Sequence, residues 1–229
     1  MRVHVAFTPA EAQRAPTAVV VDVLRASSTI AQALASGYRR VFCCAEVEEA
    51  RALRAELGEG VLAGERRAAT VPGFDLGNSP REFLEPRGET LILSTTNGTR
   101  AIVTAAAHAQ TVLVGSLLNL EAVAAAARES PGGVEVVCAG VDGRFTLDDA
   151  YCAGRIAELL GGGRSDAAEA AVRLARSFGS ALEGLRASET PLYEELGADV
   201  EWCARESVLA VVPRLAGLRG AAAEVALDT

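Results

Sequence analysis

Five short, nearly unbroken apolar runs recur along the chain, at residues 18–21, 41–44, 91–93, 112–114 and 134–138. Each is shorter than an ordinary helix and lacks the polar–apolar alternation of a strand with one wet face. Strands that are apolar on both sides belong in a sheet buried on both faces. Longer stretches with helical spacing separate them, at 29–36, 47–57, 100–109, 121–128 and 147–160. Residues 1–5 and 61–63 read as further short strands, and 166–185 and 199–211 as further helices. The alternation predicts an α/β fold: a three-layer α/β/α arrangement around a largely parallel or mixed sheet.

An internal echo sharpens that expectation. DVLRASSTI at 22–30, then helix, strand and helix, is matched by TNGTRAI at 96–102 and the same succession. The offset of roughly 70 residues is longer than solenoid periods. It suggests a duplicated β-α-β-α unit, with pseudo-repeats over 18–60 and 90–130. No low-complexity linker interrupts the 229 residues, so we expect one α/β domain over 1–229.

Composition narrows the functional classes. Half of the residues are hydrophobic but only 4% are aromatic, so the core must be packed from Ala, Val and Leu. All 22 basic residues are arginine, which excludes a catalytic lysine, and the net charge is −8. An acidic chain without a basic run is a poor partner for nucleic acid or a membrane surface. No apolar run approaches the ~20 residues of a membrane helix, and the N-terminus reads as a strand rather than a secretion signal. Five cysteines with no C-x-x-C pair point to a reduced, cytoplasmic protein.

Four junctions share one design, in which a strand ends, small polar residues follow and a helix begins: 22–29, 78–82, 95–100 and 140–149. Helix N-termini offer unpaired N–H groups and the positive end of the dipole, which suits an anion. In a parallel sheet such loops gather at the carboxyl edge, where ligands bind. Ser27, Ser28 and Thr29, with Thr95, Thr96, Asn97, Gly98 and Thr99, are therefore candidate phosphate binders. Plain capping explains the same residue types equally well. Ser79-Pro80-Arg81-Glu82 has capping-box spacing, but the preceding glycine-rich loop to Asn78 is longer than an idle connection.

Carboxylates fall at several of these junctions. Asp22 ends a strand three residues before Arg25 and has no obvious capping duty. Glu65-Arg66-Arg67 follows a short strand and can hold a metal beside an anion, or form a surface ion pair. Asp148 and Asp149 are hard oxygen donors of the kind that hold Mg²⁺, although Thr146-x-x-Asp149 is also capping-box spacing. Only His4 and His108 exist, without ligand spacing for zinc. A rival lies in Cys138-x₅-Arg144, the spacing of cysteine-dependent phosphatases, although no His precedes the Cys and Phe145 follows the Arg.

In order along the chain, several stretches resemble the 2-phosphosulfolactate phosphatase family: VVVDVLRASSTI (19–30), GER (64–66), GFDLGNSP (73–80), TTNGT (95–99), GS (115–116), Asn119, CAG (138–140), GRFTLDD (143–149) and DVEWC (199–203). The resemblance implies a Mg²⁺-dependent hydrolase that converts 2-phospho-3-sulfolactate to 3-sulfolactate, as in coenzyme M biosynthesis, on an α/β fold of its own kind. Two departures stand out. Arg67-Ala68 replaces an expected Gly-Gly, and Asp148-Asp149 replaces an expected Glu-Asp.

The combined reading is metal-assisted phosphomonoester hydrolysis. Asp22, Arg25 and Asn97 are the candidate catalytic residues. Asp22 and Asp149, with Asp148 or Glu65, are the candidate Mg²⁺ ligands. Ser27, Ser28, Thr29 and the 95–99 loop would take the phosphate, and Arg66, Asn78 and Ser79 the sulfonate and carboxylate end, with Arg144 a further anion contact. The alternatives are a metal-independent cysteine phosphatase using Cys138 and Arg144, and a non-catalytic binder of a small anionic metabolite. Alanine-rich helices with few charges also suit a homodimer.

Overall fold

In the computed structural model, residues 1–190 and 196–228 are described. The chain opens with β1 (Arg2–Ala6) and runs through β2 (Ala15–Val21), α1 (Ala26–Ala35), β3 (Arg40–Cys43), α2 (Val47–Leu57), β4 (Val61–Arg66) and the two-residue β5 (Ala69–Thr70). The same succession then repeats as β6 (Thr90–Ser94), α3 (Gly98–Ala105), β7 (Ala109–Gly115), α4 (Leu120–Glu129) and β8 (Val134–Cys138). After these come α5 (Leu147–Leu160), β9 (Gly163–Arg164), α6 (Asp166–Arg176), α7 (Ala181–Arg186), α8 (Gly197–Cys203) and a closing hairpin, β10 (Arg214–Arg219) and β11 (Ala222–Ala226).

Among the described residues the strands form one mixed sheet in the order β5-β4-β6-β3-β11-β10-β7-β2-β8-β1-β9. The order is symmetric about the hairpin. On one side lie β3, β6 and β4, on the other β7, β2 and β8, so each repeat contributes its first strand to one half and its second to the other. Pairing is parallel within each half, with Val41 opposite Leu91 and Val19 opposite Leu113. The hairpin joins the halves through three antiparallel pairings, which leaves them running in opposite directions.

Period-two alternation along the strands divides the core between two faces. Val20, Val41, Leu93 and Val114 pack with Ile30 of α1 and Ile102 of α3 on one face. Val19, Val21, Leu113 and Val136 pack with Ile156 of α5 and Val172 of α6 on the other. On that same side of the other half, Phe42, Leu62 and Ile92 meet Ala50 and Leu53 of α2. This is the expected three-layer arrangement. The small side chains bring α1 and α3 close together. A β-carbon on Gly98 would stand 2.5 Å from that of Ala26 and 2.4 Å from Asp22 Oδ2, so only glycine lets the second repeat's helix start against the first.

Three expectations are revised. The predicted helix over 166–185 is two helices, because Ser180 starts a new one by accepting from the Glu183 N–H at 3.2 Å. The predicted helix over 199–211 ends at Cys203, and the chain then runs without regular structure to Pro213. The β10–β11 hairpin was not foreseen, since Ala222–Ala226 has the alanine-rich look of a helix. Among the described residues, no helix is long and apolar enough to cross a membrane.

Candidate active site

The loops that follow β2, β4, β6 and β8 converge, two from each repeat. Asp149, in the first turn of α5, ties the β2 and β8 loops together. Its Oδ1 accepts from the Val23 N–H at 2.8 Å and its Oδ2 from the Gly140 N–H at 3.0 Å. Asp149 therefore does not cap its own helix. Glu65, at the end of β4, accepts from the Thr96 N–H at 2.8 Å and from the Ala68 N–H at 2.9 Å. Asn97 Oδ1 accepts from the Asp142 N–H at 3.2 Å, joining the β6 and β8 loops.

These loops enclose a polar cavity of about 300 Å³. Of the sequence-predicted residues, Asp22, Arg25, Glu65, Arg66, Asn78, Thr96 and Asn97 line it. Leu24, Arg67, Ala68, Val141, Asp142, Thr190 and Leu196 complete the wall. Arg144 lines an adjoining cavity of about 680 Å³, which shares Val141, Asp142 and Thr190 with the first.

The remaining predicted residues are part of the scaffold behind the wall. Ser27 donates to the Asp22 carbonyl, Ser28 to the Val23 carbonyl and Thr29 to the Asn78 carbonyl, each at 2.8 Å. Thr95 and Thr99 bond each other's backbone N–H at 3.1 Å, which fixes the start of α3. Ser79 donates to Asp199 at 2.6 Å, while the Glu82 carboxylate accepts from the Ser79 N–H as its capping-box spacing predicts. Asp148 lies buried and accepts from the Ser188 hydroxyl at 3.0 Å.

The charges in the wall are unevenly compensated. Arg25, only 7% exposed, forms a 2.8 Å ion pair with the equally buried Asp199 and donates to the Ala68 carbonyl. Arg66 gives its hydrogens to the carbonyls of Glu65, Ser94 and Ala45 and to the Ser94 hydroxyl. Asp22 accepts from the Ala26 N–H at 3.2 Å. Burial, reinforced by the fields of Glu65 and Asp148, nevertheless pushes its carboxyl up to about 7, against the opposing pull of that N–H and of Arg25. Burial likewise raises Asp149, with Asp148 and Asp22 adding to the effect, and burial raises Asp148. Asn78 is 4% exposed, and its Oδ1 has no hydrogen-bond partner among the described residues. An unpartnered buried amide oxygen is an acceptor left open, which suits a donor group rather than an anion.

The role of Asp199 was missed from sequence, where it stood only within DVEWC. Asp199 is the partner that holds Arg25, but nothing in their spacing links positions so far apart. Arg67 and Ala68 both adopt the left-handed backbone, at φ 54° and 67°, which favours glycine and accounts for the Gly-Gly expected there. Cys138 is 1% exposed, and burial first, with Asp149 next, holds its thiol well above the ordinary range. A thiol kept protonated in this way is a poor nucleophile.

A cavity lined by a carboxyl held above its ordinary range and by three arginines can take a small anionic ester. The sequence matches the family described as 2-phosphosulpholactate phosphatase over residues 5–217. It is 41% identical to the probable 2-phosphosulfolactate phosphatase of Thermus thermophilus, across 97% of this chain and 98% of that one. It is 39% identical to the 2-phosphosulfolactate phosphatase of Methanothermobacter thermautotrophicus, across 93% of this chain and 92% of that one. The chain belongs to the 2-phosphosulfolactate phosphatase family, a family of phosphoric monoester hydrolases.

Proposed function

We propose that the chain hydrolyses 2-phospho-3-sulfolactate with the help of Mg²⁺, giving 3-sulfolactate and inorganic phosphate. The observation that carries this reading is the meeting of Asp22 and Glu65 with Arg25, Arg66 and Arg67 around one cavity. Among the described residues no three His, Cys, Asp or Glu side chains form a metal-binding group. Mg²⁺ does not require one, since it is usually held by one or two carboxylates together with water and substrate phosphate. Asp22 fits that mode, because a divalent cation would relieve a carboxylate whose burial now favours the protonated form. Asp22 with Glu65 would hold the ion, and Asp149 with Asp148 would support the loops behind them. Bound there, Mg²⁺ would offset phosphoryl charge and favour attack by water.

The remaining contributions come from the chain itself. The Arg25–Asp199 pair holds the guanidinium in place at the wall, so that donors already face the phosphoryl oxygens. The Thr96 N–H and hydroxyl orient Glu65, and the open Asn78 Oδ1 can accept from water or another donor. Water attacks phosphorus, the ester P–O bond breaks, and the 2-oxygen leaves with a proton. Phosphate release from racemic 2-phospho-3-sulfolactate, with Mg²⁺ and with EDTA, tests the reading. We expect release that EDTA abolishes and that exceeds release from an aryl phosphate. Release that survives EDTA would remove the metal from the proposal. Ligand-induced thermal stabilisation without any release would instead mark a binding protein.

A further inference from the structure

Among the described residues, Arg67 is the cation in the cavity wall that the scaffold does not use. Arg25 is neutralised by Asp199, and Arg66 is committed to carbonyls around β4 and β6. Arg67 is exposed, lines the cavity and makes no hydrogen bond or ion pair to the described residues. The residue that follows it is nonetheless held from two sides. Glu65 accepts from the Ala68 N–H at 2.9 Å and Arg25 donates to the Ala68 carbonyl at 3.3 Å. A left-handed arginine is a costly way to fill a turn unless its side chain has a task.

We propose that Arg67 is a specificity residue, which reads a second anionic group of the substrate, a carboxylate or sulfonate, while Asp22 and Arg25 attend to the phosphoryl end. The proposal rests on the phosphoester reading above and deepens it. A guanidinium with its planar donors unassigned suits a carboxylate or sulfonate oxygen pair. An exposed position at the mouth lets it engage the tail without disturbing the phosphoryl contacts.

The test is the Arg67→Gly variant, which removes the charge and suits the backbone at φ 54°. The ratio of kcat/KM for 2-phospho-3-sulfolactate to kcat/KM for an aryl phosphate should fall by about 10- to 100-fold, chiefly through KM. Arg67→Lys should recover part of the ratio. The melting temperature should hold or rise, which separates a lost contact from a lost fold. A ratio within twofold of the parent's would overturn the proposal. Calorimetric binding of 3-sulfolactate isolates Arg67 from turnover. If the parent binds it but releases no phosphate from any ester, the hydrolytic reading fails while a tenfold weaker Kd in Arg67→Gly would still uphold Arg67. If the parent neither hydrolyses the ester nor binds 3-sulfolactate, both fall.

Discussion

The two repeats carry the same elements but different chemistry at their first strand–helix junctions. After β2, Asp22 stands in the cavity and Arg25, three residues on, is buried against Asp199 at 2.8 Å. After β6, the residues in the echoing positions are Asn97 and Arg100. Asn97 makes a single bond to the β8 loop, and Arg100 reaches outward to an exposed Glu46 at 2.6 Å. One junction concentrates charge in a dry place and the other supplies amides, hydroxyls and a glycine that permits close approach. The two units share one frame, and only one of them carries the electrostatic cost.

The sharpest way to break this contrast is Asp22→Asn. Removing the carboxylate that we place at the phosphoryl group should lower kcat by about 10²- to 10³-fold, judged from the loss of single electrostatic groups in other sites. The fold should survive, because Asn can still accept from Ala26. In EDTA the variant should also be the more stable protein. With the folded carboxyl near 7 and the unfolded one near 3.8, the native chain holds a proton that the unfolded chain has already lost. The parent therefore loses stability as pH rises from about 4 to about 7, and the variant loses less, because Asp148 and Asp149 are themselves held above the ordinary range. Near-normal turnover would remove Asp22 from the site.

Next in size is Asp199→Asn, which leaves Arg25 buried without its counter-charge. Breaking such a pair from one side costs about 3–5 kcal/mol, so the denaturant midpoint should fall clearly. Activity should fall as well, because Arg25 no longer holds one position. A variant that loses stability but keeps its full kcat/KM would make the pair purely structural and would move the phosphoryl cation to Arg66.

These predictions mark where sequence reading ends. The strands were legible because they are buried on both faces and so read as unbroken apolar runs. The repeat was legible because DVLRASSTI and TNGTRAI keep their order of small polar residues. The convergence of the loops was legible only as a set of junctions. The alternation says that they carry polar groups, but not that Asp149 faces backbone amides while Asp22 faces the cavity. Ser27, Ser28 and Thr29 illustrate the limit. Their residue types suit a phosphate, yet their hydroxyls donate to carbonyls of the chain itself, a choice made by a rotamer rather than by a motif. The hairpin that joins the half-sheets gave no signal, since Leu215, Leu218 and the alanines after Gly220 fit either period.

The smallest expected effect closes the comparison from the other side. Arg100→Ala removes the second repeat's arginine, whose partner Glu46 is itself about half exposed. Solvent-exposed pairs contribute about 0–1 kcal/mol, and this one should be screened further by salt. In a chain of this size that corresponds to a melting shift of no more than about 4 °C, smaller in high salt. Steady-state kinetics should stay within twofold of the parent, because the guanidinium points away from the cavity that Asn97, three residues before it, helps to line. A tenfold loss of kcat/KM would mean that Arg100 swings inward when substrate binds. The two junctions would then share the catalytic charge after all.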